Sequence, residues 1–151
     1  MDNLATNLAI REATQEDAPQ VAALLTQLGY PSSTDDVTSR LAYWEPDPLS
    51  LILIAERTGQ ALGCLSMHAL PYLERTGRWA RIVSLVVDES ARGTGAGRAL
   101  LTAAETAARR WGCLAIEITS ARTREAAQAF YRRMGYSDVR DRSARFHKVL
   151  D

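Results

Sequence analysis

Apolar residues recur three and four positions apart at Val21, Leu24, Leu25 and Leu28, up to Gly29. This spacing predicts an amphipathic helix capped by Thr14 or Asp17. The short run Leu8-Ala9-Ile10 ahead of it reads as a strand. Ser33, followed three residues later by Asp36, is a capping-box variant that opens a second helix. Val37 and Leu41 form the inward face of that helix, and the turn Glu45-Pro46-Asp47-Pro48 stops it. Leu51 to Ala55 and Ala61 to Leu70 flank the turn Arg57-Thr58-Gly59-Gln60 and predict an antiparallel hairpin.

A further strand is expected over Ile82 to Val87. Helical spacing returns at Leu100, Leu101, Ala104, Ala107 and Ala108, giving a helix over Ala99 to Arg110 closed by Gly112, and Leu114 to Ile118 follows as a strand. Strand, glycine turn, helix and strand make a right-handed βαβ unit. Thr123 to Met134 reads as a last helix stopped by Gly135, and Ser143 to Leu150 as a final strand. The order predicts a mixed α/β protein, antiparallel in its first half and with a parallel crossover in its second.

Composition narrows the class. At 151 residues, with 46% hydrophobic and 24% charged residues, one domain spanning 1–151 with a real core is expected. Eighteen basic and eighteen acidic residues cancel, which argues against a dedicated nucleic-acid or membrane-surface binder. Neither a signal peptide nor a membrane span is read from the chain, and a cytoplasmic location is expected. Cys64 and Cys113 lie far apart with no CxxC spacing, and His68 and His147 are isolated, so buried thiols and no protein-built metal site are expected.

The most informative stretch runs from Leu85, Val86 and Val87 through Asp88 to Arg92, Gly93, Thr94, Gly95, Ala96, Gly97 and Arg98. Three glycines in five residues, between a strand and a helix start, let backbone N–H groups converge where the helix dipole adds positive potential. Such a loop suits a pyrophosphate. Two ligand classes compete for it. A dinucleotide fold wants GxGxxG, but the sixth position from Gly93 is Arg98, although Glu117 partly mimics the ribose-binding acid. The pattern Arg/Gln-x-x-Gly-x-Gly/Ala is matched by Arg92, Gly95 and Gly97.

Here the chain resembles the GCN5-related N-acetyltransferase (GNAT) superfamily. LVVDESARGTGAGRALL is similar to its signature after the fourth strand, LAIREATQEDAPQVAALL to its first strand and helix, and Ala129-Phe130-Tyr131-Arg132-Arg133-Met134-Gly135-Tyr136 to its late AxxFYxxxGF/Y motif. The resemblance implies an acyl-CoA N-acyltransferase fold: six to seven strands splayed between the fourth and fifth, with about four helices. It implies acetyl-CoA in the splay, with Leu85 to Val87 aligning pantetheine and acetyl carbonyl, Arg92 to Arg98 holding the pyrophosphate, and Tyr131 facing the sulfur.

Two positions depart from the family pattern. Many relatives carry a general-base glutamate where this chain has Arg81, leaving Ser84, His68, Glu45 and Glu74 as candidates to accept the amine proton. An asparagine that often contacts pantetheine is replaced by Arg124. Arg78 and Arg81 either hold an acceptor carboxylate or pair with Glu74. The arginines at 132, 133, 140, 142 and 145 read as a solvated surface interrupted by Asp138 and Asp141.

The expected activity is direct acetyl transfer from acetyl-CoA to a primary amine of a small molecule or peptide, because neither cysteine sits in a reactive constellation. The competing expectation is a noncatalytic acyl-CoA-binding or sensing module. A homodimer is expected from the sheet edges.

Overall fold

The computed structural model describes residues 7–120 and 124–151, which divide into two compact units, one through Thr119 and one from Ser120. The first holds strand β1 (Leu8–Glu12), helices α1 (Ala18–Leu28) and α2 (Thr34–Trp44), strands β2 (Ser50–Arg57), β3 (Gln60–Pro71) and β4 (Arg78–Val87), helix α3 (Ala96–Arg110) and strand β5 (Cys113–Ile118). The second holds helix α4 (Glu125–Arg133).

The sheet runs in the order β1-β2-β3-β4-β5; β1 to β4 pair antiparallel and β4 pairs with β5 in parallel. Pleat alternation separates its two faces. On one, Ile54, Cys64 and Val86 pack beneath α1 and α2, against Val21, Leu24, Val37 and Leu41. On the other, fully buried Leu65, Met67 and Ile82 belong with Leu100 and Leu101 of α3. Each such side chain contributes about 1.5–3 kcal/mol of burial. Gly63 lies where strand and helix meet: a Cβ there would stand 2.9 Å from Val86 O and 3.0 Å from Leu100 Cδ1.

The caps follow from local chemistry. The predicted Ser33–Asp36 box closes in both directions at 3.1 Å. Asp17, 3% exposed, accepts from Thr14 N–H at 2.7 Å and takes a two-pronged bond from Arg11 at 2.7 and 2.8 Å. Glu56 of β2 holds the same guanidinium at 3.1 Å, tying β1, β2 and the α1 start together.

Three expectations are corrected. Helix α3 starts at Ala96, three residues early, because the left-handed residues end at Gly95 (φ 90°) and Gly97 continues the helix. Strand β4 starts at Arg78, since the ladder to β3 extends as far as Pro71↔Arg78. Residues 143–150 form no strand, and the described sheet has five strands instead of six or seven. Phe146 is 93% exposed, and an extended segment with alternating apolar residues becomes a strand only where it finds a hydrogen-bonding partner. Thr123, the expected start of the last helix, lies outside the described residues.

Candidate active site

Strand β4 is longer than its parallel partner, and this creates an opening. Its register with β5 ends at Ile82↔Ile118, whereas its pairing with β3 continues to Val87↔Gly63. Residues 83–87 therefore have no partner on the β5 side among the described residues. This is the splay expected between the fourth and fifth strands. A register shift between Ser66 and Met67 leaves Val83 as an extra residue on β4, just where the two strands part.

Parity then decides which backbone groups face the opening. Asp88 N–H bonds to Leu62 O at 2.7 Å, so Val86, two residues earlier, also turns its N–H and C=O toward β3. Leu85 and Val87 turn theirs the other way, into the splay. Of the three predicted positions, two present backbone groups to the opening, while Val86 contributes a side chain buried among α1 and α2.

Past Val87, Asp88 caps a short 3-10 turn by accepting from Ser90 N at 2.9 Å and Ser90 Oγ at 2.6 Å. These bonds and that of Gln27 hold its carboxyl below the usual range. Gly93 and Gly95 both adopt positive φ, 81° and 90°, and a Cβ at either would meet nothing within 4 Å. The first bond within α3 runs from Ala99 N–H to Gly95 O at 3.0 Å, so the N–H groups of Ala96, Gly97 and Arg98 precede the helical ladder. Exposed Arg92 and Arg98 flank them. Bare backbone, an N-terminal dipole and two guanidiniums together suit a pyrophosphate.

The sheet face that carries Cys64 and Val86 turns polar further along. Ser66 and Ser84, directly across from one another, share a hydrogen bond of 2.5 Å. His68 pairs with Arg81 across the next rung, and its Nδ1 lies 2.6 Å from Ser50 Oγ. Trp44 stacks on the imidazole at 3.9 Å. Arg81, at the position of the family's glutamate, bonds Glu117 Oε1 at 2.6 Å and Thr119 Oγ1 at 2.8 Å. Its partner is thus Glu117 and not Glu74, which is exposed. Trp44 and Ser50 also line a cleft of about 680 Å3 with Glu12, Glu16 and Glu45.

In the second unit, Tyr131 lies on α4 beside Phe130 (centroids 5.6 Å apart) and Tyr136 (6.3 Å). The helix ends in a Schellman arrangement around left-handed Gly135, with Tyr136 N–H bonding Tyr131 O at 2.9 Å and Gly135 N–H bonding Arg132 O at 3.0 Å. Burial raises the Tyr131 hydroxyl above its ordinary value, while Arg124 opposes the shift. Arg132 and Arg140 both pair with Asp138, in keeping with a solvated charged surface. Burial pushes the Cys64 thiol up to about 12 and also raises Cys113, so neither is a ready nucleophile.

Gln27, Trp44 and Ser50 escaped sequence reasoning because their partners, at Asp88, Glu89 and His68, are brought to them only by the folded sheet and helices. The Asp47 carboxylate bonds only two and three residues ahead, to Leu49 N and Ser50 Oγ, and that local turn pattern is a signal that could have found it.

Comparison with known proteins places the chain in a family and supports the fold. Residues 9–136 match the Acetyltransferase (GNAT) family. An aminoalkylphosphonate N-acetyltransferase of Salmonella typhimurium is 32% identical over 146 residues, covering 93% of this chain and 90% of the relative. Among solved structures, a GNAT family acetyltransferase from Staphylococcus aureus superposes with a TM-score of 0.80 at 24% identity, covering 95% of this chain and 99% of that one. A transcriptional regulator from Bacillus halodurans does so with a TM-score of 0.83, also at 24% identity and with the same coverage.

Proposed function

The chain belongs to the GNAT acetyltransferase family, and from that premise we propose that it transfers an acetyl group from acetyl-CoA directly to the primary amine of a small molecule. The observation that carries this reading is the open C-terminal half of β4 leading into the bare N-terminus of α3. In this reading the N–H groups from Ala96 to Arg98 and the guanidiniums of Arg92 and Arg98 receive the pyrophosphate. The open backbone groups of Leu85 and Val87 line up the pantetheine arm. An amine lone pair attacks the thioester carbon, and Val87 N–H stabilises the charge that develops on oxygen. As the C–S bond breaks, the thiolate takes the hydroxyl proton of Tyr131, which its raised pKa keeps in place at neutrality, and the surplus proton of the new amide nitrogen passes through water to restore the hydroxyl.

The acceptor class follows from two features. The cleft beside Trp44 carries three carboxylates, Glu12, Glu16 and Glu45, which favour a cationic amine on approach. The Salmonella relative is named for aminoalkylphosphonates, compact molecules with one amine and one anionic group, and we carry that class over as the first to be tried. We also propose a homodimer, supported by the edge strands β1 and β5, and action in a reducing compartment, supported by two free cysteines.

Calorimetry with acetyl-CoA, NAD, ATP and FAD tests the ligand. Micromolar binding of NAD with no heat from acetyl-CoA would replace this reading with the dinucleotide one. Thiol release from acetyl-CoA with a panel of aminoalkylphosphonates, amino sugars and short diamines tests the reaction. Sedimentation tests the assembly, where a clean 16.6 kDa species at tens of micromolar removes the dimer.

A further inference from the structure

The transfer proposed above requires a proton acceptor for the amine, and Arg81 cannot serve, being a permanent cation paired with Glu117. On the same sheet face, His68, Ser50 and Asp47 form a chain whose hydrogen positions are dictated by valence. Asp47 accepts from Leu49 N at 2.9 Å and from Ser50 Oγ at 2.6 Å, and both bonds hold it ionised. A carboxylate has no proton to give, so the single hydroxyl proton of Ser50 goes to Asp47. Ser50 Oγ is then the acceptor in its 2.6 Å contact with His68, and Nδ1 must be the donor. A neutral imidazole with its proton on Nδ1 carries a lone pair on Nε2, which has no partner among the described residues. Trp44 stacks on the face of the ring, with the centroids 3.9 Å apart.

We propose that His68 is the general base of this enzyme, with Ser50 and Asp47 as positioning residues that hold its tautomer. The proposal rests on the acetyltransferase reading. Trp44 and Ser50 both touch His68 and both line the carboxylate-bearing cleft, which sets the imidazole at the wall through which a cationic amine would enter. Before attack, the acceptor ammonium gives one N–H proton to Nε2, directly or through one water. The freed lone pair forms the C–N bond and the C–S bond breaks; the thiolate takes the Tyr131 proton, the surplus proton of the new amide nitrogen passes through water to restore the Tyr131 hydroxyl, and the proton on Nε2 leaves to solvent. While Nε2 is protonated, the Nδ1–H bond to Ser50 and the charge of Asp47 stabilise the imidazolium. The charged groups around the ring are Asp47 through Ser50 of β2, Arg81 across the rung on β4 with its partner Glu117 on β5, and Glu45 next to Trp44 at the end of α2. Burial lowers the His68 pKa and Asp47 opposes this, so the base form prevails at neutrality.

The test measures kcat/KM against pH for the best two amines of the panel, chosen with unequal basicity. In the native protein the ascending limb is expected below about 6.5, the ordinary histidine value, and at the same pH for both amines. His68→Gln is expected to lower kcat/KM by about 10²–10⁴-fold, with acetyl-CoA affinity unchanged by calorimetry, and to move the limb so that it follows each amine's own ionisation. Asp47→Asn should shift the native limb to lower pH by withdrawing the opposing charge. Full activity with an unmoved limb in His68→Gln, or in Ser50→Ala should the first variant not fold, overturns the assignment to His68 and leaves the transferase reading standing. Absence of thiol release with every amine, despite acetyl-CoA binding, overturns both.

Discussion

Gln27 of α1 reaches Asp88 across sixty-one positions of sequence, its Nε2 donating to Asp88 Oδ2 at 3.0 Å while its Oε1 accepts from Glu89 N at 3.1 Å. One side-chain amide thus pins the turn between β4 and the glycine loop to the first helix. Gln27→Ala removes both bonds from an exposed site. Acetyl-CoA affinity is expected to weaken about 3–10-fold, the equivalent of roughly one net hydrogen bond, with a fall in Tm of only a few degrees. Calorimetry and thermal melting on the same variant check it.

Gly95→Val is expected to damage binding more than folding. An added Cβ meets no protein atom within 4 Å, so the folding cost comes chiefly from the left-handed φ of 90°, about 1–2 kcal/mol. The same branched side chain stands where a phosphate would approach Ala96 to Arg98, and a loss of acetyl-CoA affinity of at least about 10²-fold is expected. Equal losses in Tm and affinity for Gly95→Val and Gly112→Val, the latter a glycine of similar φ (74°) just ahead of β5, at the opposite end of β4 from this loop, would remove the phosphate assignment.

Tyr131→Phe keeps the ring beside Phe130 and Tyr136 and removes only the hydroxyl. A fall in kcat of about 10²–10⁴-fold is expected, with acetyl-CoA affinity unchanged. Unaltered turnover would leave Tyr131 as a packing residue.

Asp17→Asn tests a structural anchor instead of the site. The Arg11 guanidinium and the Thr14 N–H hold Asp17 below the usual carboxylate range. A depressed folded pKa gives stability that is present above the unfolded value, about 3.9, and is lost as pH falls through the folded one. The variant is expected to be about 1.5–3 kcal/mol less stable at pH 7. Urea titrations should show that gap shrinking below about pH 4, as the native carboxylate is protonated. A gap that persists at pH 2 would assign the effect to packing.

The amino-acid order alone determined what depends on neighbours in sequence. The Ser33–Asp36 box, the Gly29 and Gly135 stops, the β2–β3 hairpin and the glycine loop after β4 are set by bonds that span a few residues, and each was legible. Tertiary structure decided what depends on partners far along the chain. The extent of β4 followed from β3, and the missing final strand from the want of a partner for residues 143–150. Parity against β3 singled out Leu85 and Val87 from Val86. Arg81 found Glu117 across a parallel crossover, and His68 met Ser50 only when β2 paired with β3. A motif names residues whose chemistry is local, whereas the donor and acceptor roles of a side chain are fixed by whichever groups the sheet sets against it.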